Sequence, residues 1–235
     1  MQFHGPLIHG RLMRRYKRFI ADVVLDDGRQ ISAHCPNSGS MKTCQTPGWR
    51  VLLTTSENPK RKYRCTWELV HNGVCWIGIN TLRANAVVLE GIHRGVVGEL
   101  AGYDEIRREV RYGTNSRIDL LLSREGDPRL CYVEVKNVTL VGEDGSYCFP
   151  DAVTIRGRKH LDELSSMVAE GHRAVMLYVI QRSDGCGFRA AHEIDPGYAA
   201  ALREALAAGV EAYAYRADVS PQGIRLAEGV AVRVV

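Results

Sequence analysis

As far as Ile79, apolar residues come in short alternating runs closed off by Gly, Asp, Asn or Pro. Alternation with period two places every second side chain on one face of a strand. The runs predict strands at residues 18–25, 29–35, 50–55, 64–71 and 74–79. Asp26-Asp27-Gly28 and His71-Asn72-Gly73 sit between neighbouring runs as tight hairpin turns. Short strands at this spacing make a small barrel or a sandwich. A five-stranded barrel of the oligonucleotide-binding (OB) kind fits the strand count, and so does any other small barrel.

From Arg83 the period lengthens. Val88, Leu89, Ile92, Val96 and Leu100 fall on one helical face, which predicts a helix over residues 85–100. Strands follow at 106–112, 117–122 and 130–138, then a helix over 157–170 that Gly171 ends. The unbroken apolar run 174–180 reads as a strand covered on both faces. Asp195-Pro196 opens a further helix, as a cap followed by proline in the first turn, and residues 210–215 form another strand. The expected fold is therefore an all-β N-terminal domain (1–82) followed by an α/β domain (83–235) with a mixed sheet.

Composition narrows the classes. The 235 residues are 45% hydrophobic and 25% charged, with a formal net charge of +4, the balance of an ordinary globular chain. A nucleic-acid partner must therefore be argued from where the charges sit rather than from their sum. The apolar runs fall well short of the ~20 residues of a membrane span. No apolar stretch follows a basic start, so neither an export signal nor a membrane partner is expected. Seven cysteines form no CxxC pair, which points to reduced thiols in a cytoplasmic protein and not to a zinc site or disulfide framework. His4, His9, His93 and His192 show no ligand spacing.

The chemistry concentrates in Ser116-Arg117-Ile118-Asp119 and Val133-Glu134-Val135-Lys136. On a strand, Glu134 and Lys136 share one face while Val133 and Val135 take the other. A hairpin between the two segments brings Asp119 beside Glu134. Two carboxylates so placed repel unless a cation lies between them, and oxygen ligands suit Mg²⁺ or Mn²⁺. A neighbouring lysine can orient water or neutralise a phosphate.

An Asp on one strand and Glu-x-Lys on the next resembles the PD-(D/E)XK nuclease superfamily, with Ile118 where the motif's name has proline. The resemblance implies Asp119 and Glu134 as metal ligands, Lys136 as the catalytic lysine, and a further carboxylate for which Glu109 is the first candidate and Glu99 the second. Wider segments stand together in order: 34–41 (HCPNSGSM), 112–119 (YGTNSRID), 134–140 (EVKNVTL), 149–154 (FPDAVT), and Arg156-Gly157 with Lys159-His160-Leu161. These are similar to the sugar fermentation stimulation protein (SfsA) family across essentially the whole chain. That resemblance implies an OB-like barrel before a PD-(D/E)XK-like domain, DNA binding of low sequence specificity to double or single strands, and a regulatory link to sugar (maltose) metabolism. The alternatives are a metal-dependent nuclease and a non-catalytic DNA-binding regulator. Monomer and homodimer stay equally open.

Basic segments supply the candidate DNA contacts. Arg14, Arg15, Lys17 and Arg18 interleave with Tyr16 and Phe19, and Lys60, Arg61 and Lys62 follow Pro59. Such residues neutralise phosphates, although on a barrel they also guard an exposed edge. Asn37 and Ser38 with Lys42 form a candidate phosphate cradle or a tight barrel turn. Arg156 and Lys159 open a helix whose free N–H groups favour an anion. His160 is expected to be a partly exposed, non-catalytic histidine, with a general base as the alternative, and Asp151 to act as a cap or an outer carboxylate.

Overall fold

Short alternating runs do become strands, with one more at the start than their pattern announces. The computed structural model describes residues 1–3, 5–113 and 116–233, so His4, Thr114 and Asn115 lie outside the described residues. The first strands are β1 (Ile8–Tyr16), β2 (Ile20–Leu25), β3 (Gln30–His34), β4 (Arg50–Thr55), β5 (Cys65–His71) and β6 (Trp76–Gly78). They pair in the order β3-β2-β1-β4-β5-β6. A parallel bridge from His34 to Thr66 joins β3 to β5 and closes five strands into an OB-like barrel. The expectation missed β1, because its arginines and a bulge between Leu12 and Arg14 mask the alternation. Gly10 shows why the strand lies there. A Cβ at that position would stand 2.6 Å from the Val24 carbonyl oxygen, so only glycine lets β1 approach β2 so closely. Leu12, Val23, Val51, Leu53, Trp67 and Ile77 fill the interior.

A 3₁₀ turn at Thr81–Arg83 leads into α1 (Ala84–His93). The predicted helix was longer. It stops because Gly95 turns left-handed (φ 70°), with its N–H bonded to the Ile92 carbonyl, and Leu100 belongs to a separate 3₁₀ turn at Gly98–Leu100. Strands β7 (Glu105–Tyr112), β8 (Ser116–Arg124) and β9 (Asp127–Val138) follow, then the short β10 (Leu140–Val141) and β11 (Tyr147–Phe149). Next come α2 (Ile155–Ala169), β12 (Arg173–Ile180), β13 (Phe188–Ala190), α3 (Pro196–Ala207), β14 (Glu211–Ser220), β15 (Gly223–Val230) and β16 (Val232–Arg233). The main sheet runs β15-β14-β12-β9-β8-β7, parallel through β9, β12 and β14 and antiparallel elsewhere. A smaller sheet runs β10-β11-β13-β16.

Val87, Val88 and Ile92 of α1 cover one face of the main sheet, over Leu120, Leu122, Val133 and Leu177. Barrel residues Leu52 and Leu69 belong to that same cluster, so apolar packing is continuous between barrel and sheet. Leu161 and Leu164 of α2 and Tyr198 and Leu202 of α3 cover the opposite face. This is the reason for the unbroken apolar run in β12. Polar pins fix the barrel against the sheet: Gly78 N–H donates to the Gln181 carbonyl (2.9 Å), Arg182 Nη1 to Thr43 Oγ1 (2.9 Å) and Thr43 Oγ1 to the Thr139 carbonyl (3.2 Å). Among the described residues no helix is long and apolar enough to cross a membrane.

Candidate functional site

Strands β8 and β9 pair through Leu120 and Val133, the last pair of the ladder on the side toward Asp119. That register sets Asp119 across from Glu134. The Val135 N–H, free of the ladder, donates instead to Asp119 Oδ2 (2.7 Å). Asn85, in the first turn of α1, donates to Asp119 Oδ1 (2.8 Å) and lies 3.4 Å from Glu109 Oε1. Burial, then the facing charge of Glu134, pushes the Asp119 carboxyl above its ordinary value.

Glu134 is only 3% exposed. Its Oε1 accepts from Lys136 Nζ (2.7 Å) and from His160 Nδ1. Arg156 Nε donates to His160 Nε2 (3.2 Å), which leaves the ring proton on Nδ1 and directs it to Glu134. Burial alone would raise the Glu134 carboxyl, but His160 and Lys136 together hold it below the usual carboxylate range. Its second oxygen, Oε2, is buried and has no hydrogen-bond partner among the described residues. Behind the carboxylates, burial and then the charges of Glu134, Glu163 and Asp119 push the Tyr112 hydroxyl far up.

His160 is thus a correction to the sequence reading. It is 4% exposed and sits against Glu134 and Lys136. Thr154 caps α2 by accepting the Gly157 N–H (2.9 Å), and the i, i+4 spacing of Arg156 and His160 then brings both to one face of the helix. That spacing was the available signal. Asn85 and Arg108, the other residues the sequence reading missed, carried none: each is an ordinary polar residue until the fold brings it to the site.

These groups open onto a cleft of about 960 Å³ between the barrel and the main sheet. Asp119, Glu134, Lys136 and Glu109 line it, together with Arg15, Arg18, Asn37, Ser38 and Arg156 from the predicted set. Glu109 lies between the paired residues Arg108 and Val110 of β7, in register with Asp119 of β8, with a left-handed φ of 53°, and is exposed. Glu99, the second candidate for the extra carboxylate, does not join them. Its Oε2 accepts from Tyr215 (2.5 Å), near Arg173 at the start of β12.

The basic candidates divide. Arg15 is spent inside the protein: Nη2 donates to the Asn37 and Gly39 carbonyls (2.9 and 2.8 Å), and Nε to the Arg18 carbonyl (3.0 Å). Asn37 is buried, with Oδ1 accepting the Gly39 N–H (2.9 Å) and Nδ2 donating to the Ile79 carbonyl. Its side chain therefore shapes the loop, while Ser38 is exposed in the cleft wall. Asp151 lines the cleft and does not cap α2, whose cap is Thr154; its Oδ2 accepts the Met41 N–H (3.0 Å) of the facing loop. Arg14 pairs with Asp22 (2.9 Å) beside a separate, shallower depression. Lys17 is exposed at the turn after β1, and Lys42, Lys60, Arg61 and Lys62 are exposed away from the cleft lining. Lys159 reaches Glu163 (3.4 Å).

The donors present suit a hard divalent cation. Among the described residues Glu134 Oε2 is a buried acceptor left without a donor, Asp119 lies across from it, and Val135 between Glu134 and Lys136 also lines the cleft. Among the described residues no three His, Cys, Asp or Glu side chains form a ready-made metal cage. A set of two carboxylates that leaves room for water and phosphate is the Mg²⁺ pattern.

Known proteins agree with this architecture along the whole chain. The family model described as the SfsA N-terminal OB domain matches residues 13–79, and that of the sugar fermentation stimulation protein RE domain matches residues 82–223. A sugar fermentation stimulation protein homolog of Pelobacter propionicus is 59% identical over 223 residues, covering 95% of this chain and 96% of its own. One from Geobacter sulfurreducens is also 59% identical, covering 95% and 94%. The structure of Pyrococcus furiosus SfsA in complex with Ca²⁺ is similar over 99% of this chain and 98% of that one, with 27% identity and a TM-score of 0.89. With both domains matched and relatives this similar over nearly their full length, the chain belongs to the sugar fermentation stimulation protein (SfsA) family.

Proposed function

We propose that this protein binds DNA with low sequence specificity and hydrolyses a phosphodiester at Asp119, Glu134 and Lys136 with Mg²⁺ or Mn²⁺. The observation that carries this reading is Glu134 Oε2, buried without a donor across from Asp119 and beside an ammonium group. The Pyrococcus relative, solved in complex with Ca²⁺, supports a hard-cation partner for the family's fold.

Asp119 and Glu134 would hold the ion, with the Val135 carbonyl as a third oxygen. When bound, it would neutralise phosphate charge and make a nearby water more acidic. Lys136 Nζ would donate to the attacking water or to a phosphate oxygen. His160 fixes the Glu134 carboxylate from behind, so that Oε2 remains the oxygen on offer. Arg18, Arg108 and Arg156 supply cationic partners for the DNA backbone along the cleft.

The test is incubation of supercoiled plasmid and single-stranded DNA with Mg²⁺ or Mn²⁺. Cleavage should fall by about 10²–10³-fold in Lys136→Ala and further in Asp119→Ala. Cleavage that persists in both variants would overturn the reading.

One observation favours a second reading, a non-catalytic DNA-binding regulator linked to sugar (maltose) metabolism. Glu134 Oε1 already pairs with the Lys136 ammonium and takes a hydrogen bond from His160, so the fold can tolerate the site without an ion. On that reading DNA retention persists in EDTA and survives Glu134→Ala.

A further inference from the structure

We infer that the cleft takes an unpaired, single-stranded stretch of DNA rather than an intact duplex, an inference that rests on the reading above that the partner is DNA. The large hydrophobic side chains left exposed among the described residues are Met13, Phe19, Val74, Leu82, Val153 and Ile155. Two of these six line the cleft, and two more adjoin lining residues in sequence. Leu82 (75% exposed) and Val153 (66%) line it, Ile155 (78%) sits between the lining residues Thr154 and Arg156, and Phe19 (47%) follows the lining residue Arg18. Scattered exposed apolar residues are ordinary. Their concentration around a cleft that also carries Arg18, Arg108, Arg156 and Lys136 calls for a ligand with both apolar faces and negative charge.

A duplex presents the wrong surface. Its base faces are stacked out of reach, so an apolar rim would meet only sugar and phosphate. A single strand offers base faces and phosphates together, and bases stack on aromatic rings or pack on aliphatic wedges. Size points the same way. The cleft, about 960 Å³, lies within the range of small-molecule sites. Glu134 lies on its floor at 3% exposure, so the phosphate that reaches it must enter the cleft. A flexible single strand can thread a phosphate in with its neighbouring bases, whereas a rigid B-form duplex would present only its outer backbone to the opening. Backbone strain adds a third sign. Lys17 and Arg18 both hold left-handed φ values, 47° and 62°, at the turn that leaves Phe19 facing solvent.

The experiment compares fluorescence anisotropy of a labelled single strand of about 20 nucleotides, longer than the ~4–16 that one OB module covers, with its own duplex. EDTA is present so that binding is read without cleavage. The wild-type chain should bind the single strand at least about tenfold more tightly than the duplex. A Leu82→Ser/Val153→Ser/Ile155→Ser variant should lose about tenfold or more for the single strand, and Phe19→Ser a similar factor, while duplex affinity changes less than about twofold. These exposed positions should leave thermal denaturation unchanged. Removing apolar contacts should leave the salt dependence intact, whereas Arg18→Ala should lower the log–log slope by about one.

Equal affinity for both forms, or single-strand affinity that ignores the rim substitutions, overturns the inference while DNA binding stands. Failure of both forms to bind overturns it together with the proposed function. A rim variant that loses self-association in sedimentation yet keeps its single-strand affinity also overturns it, and makes the rim an interface between protein copies.

Discussion

Two buried glutamates sit on neighbouring parts of this molecule and are treated in opposite ways. Glu68, on β5 of the barrel and 1% exposed, has both oxygens fully engaged. Oε1 accepts from Arg83 Nη2 and Thr54 Oγ1 (both 2.8 Å), and Oε2 from Arg83 Nε (3.1 Å) and Asn80 Nδ2 (3.0 Å). Glu134, on β9 and 3% exposed, has one oxygen shared by Lys136 and His160 and the other left without a donor among the described residues. Burying a carboxylate is costly unless it is paired and hydrogen-bonded. Glu68 is therefore a structural joint, whereas Glu134 keeps one oxygen for something that comes from outside. The two are also linked. Glu68 grips Arg83 at the end of the turn that starts α1, and two residues later Asn85 donates to Asp119. The joint in the barrel thus sets a partner of the site in the sheet.

The largest effect that would break this contrast is in stability. Glu68→Ala leaves the Arg83 guanidinium and the Asn80 amide facing an empty place, and should cost about 3–5 kcal/mol in chemical denaturation. A loss below about 1 kcal/mol would mean that the network is ornamental and that satisfaction does not separate the two glutamates. Next comes the ion. Mn²⁺ at a hundred times its dissociation constant should stabilise the wild-type chain by about 2.7 kcal/mol, which for a chain of this length raises Tm by about 5–10 °C. Glu134→Gln should abolish the shift. A shift that survives in Glu134→Gln would place the ion elsewhere.

How much of this could be read beforehand follows from the range of the interactions. The Asp26-Asp27-Gly28 turn, the Asp195-Pro196 start of α3 and the buried run of β12 depend on neighbours in sequence, and they appear in the fold as expected. The faces of Glu134 and Lys136 follow from strand pleating. β1 escaped because its bulge and its arginines break the alternation on which recognition relies, and α1 came out too long because a face of apolar residues does not reveal where a glycine will turn left-handed. Residues joined only by the tertiary fold were beyond reach. Asn85 meets Asp119 from 34 residues away, and His160 meets Glu134 from 26. Arg15 looks like a phosphate contact in a row of arginines. Only the folded loop shows its guanidinium spent on the Asn37 and Gly39 carbonyls.

The smallest effect sharpens the contrast inside the cleft itself. Asp151 also lines it, and by position alone would pass for a third metal carboxylate. Its Oδ2, however, accepts the N–H of Met41, a buried residue held at a left-handed φ of 53° in the loop that Arg15 grips. With Oδ2 taken by the loop, Asp151 stands between Glu68, which has both oxygens engaged, and Glu134, which keeps a buried oxygen without a donor among the described residues. Asp151→Asn keeps an oxygen for Met41 and should change stability by less than about 1 kcal/mol, while Asp151→Ala, which strands that N–H, should cost about 1–3 kcal/mol. The Mn²⁺-induced rise in Tm should be unchanged in Asp151→Asn, because a side chain occupied by the loop is not offered to the ion. If the asparagine variant lost that rise as completely as Glu134→Gln does, Asp151 would be a ligand, and counting hydrogen-bond partners would no longer tell a joint from a site.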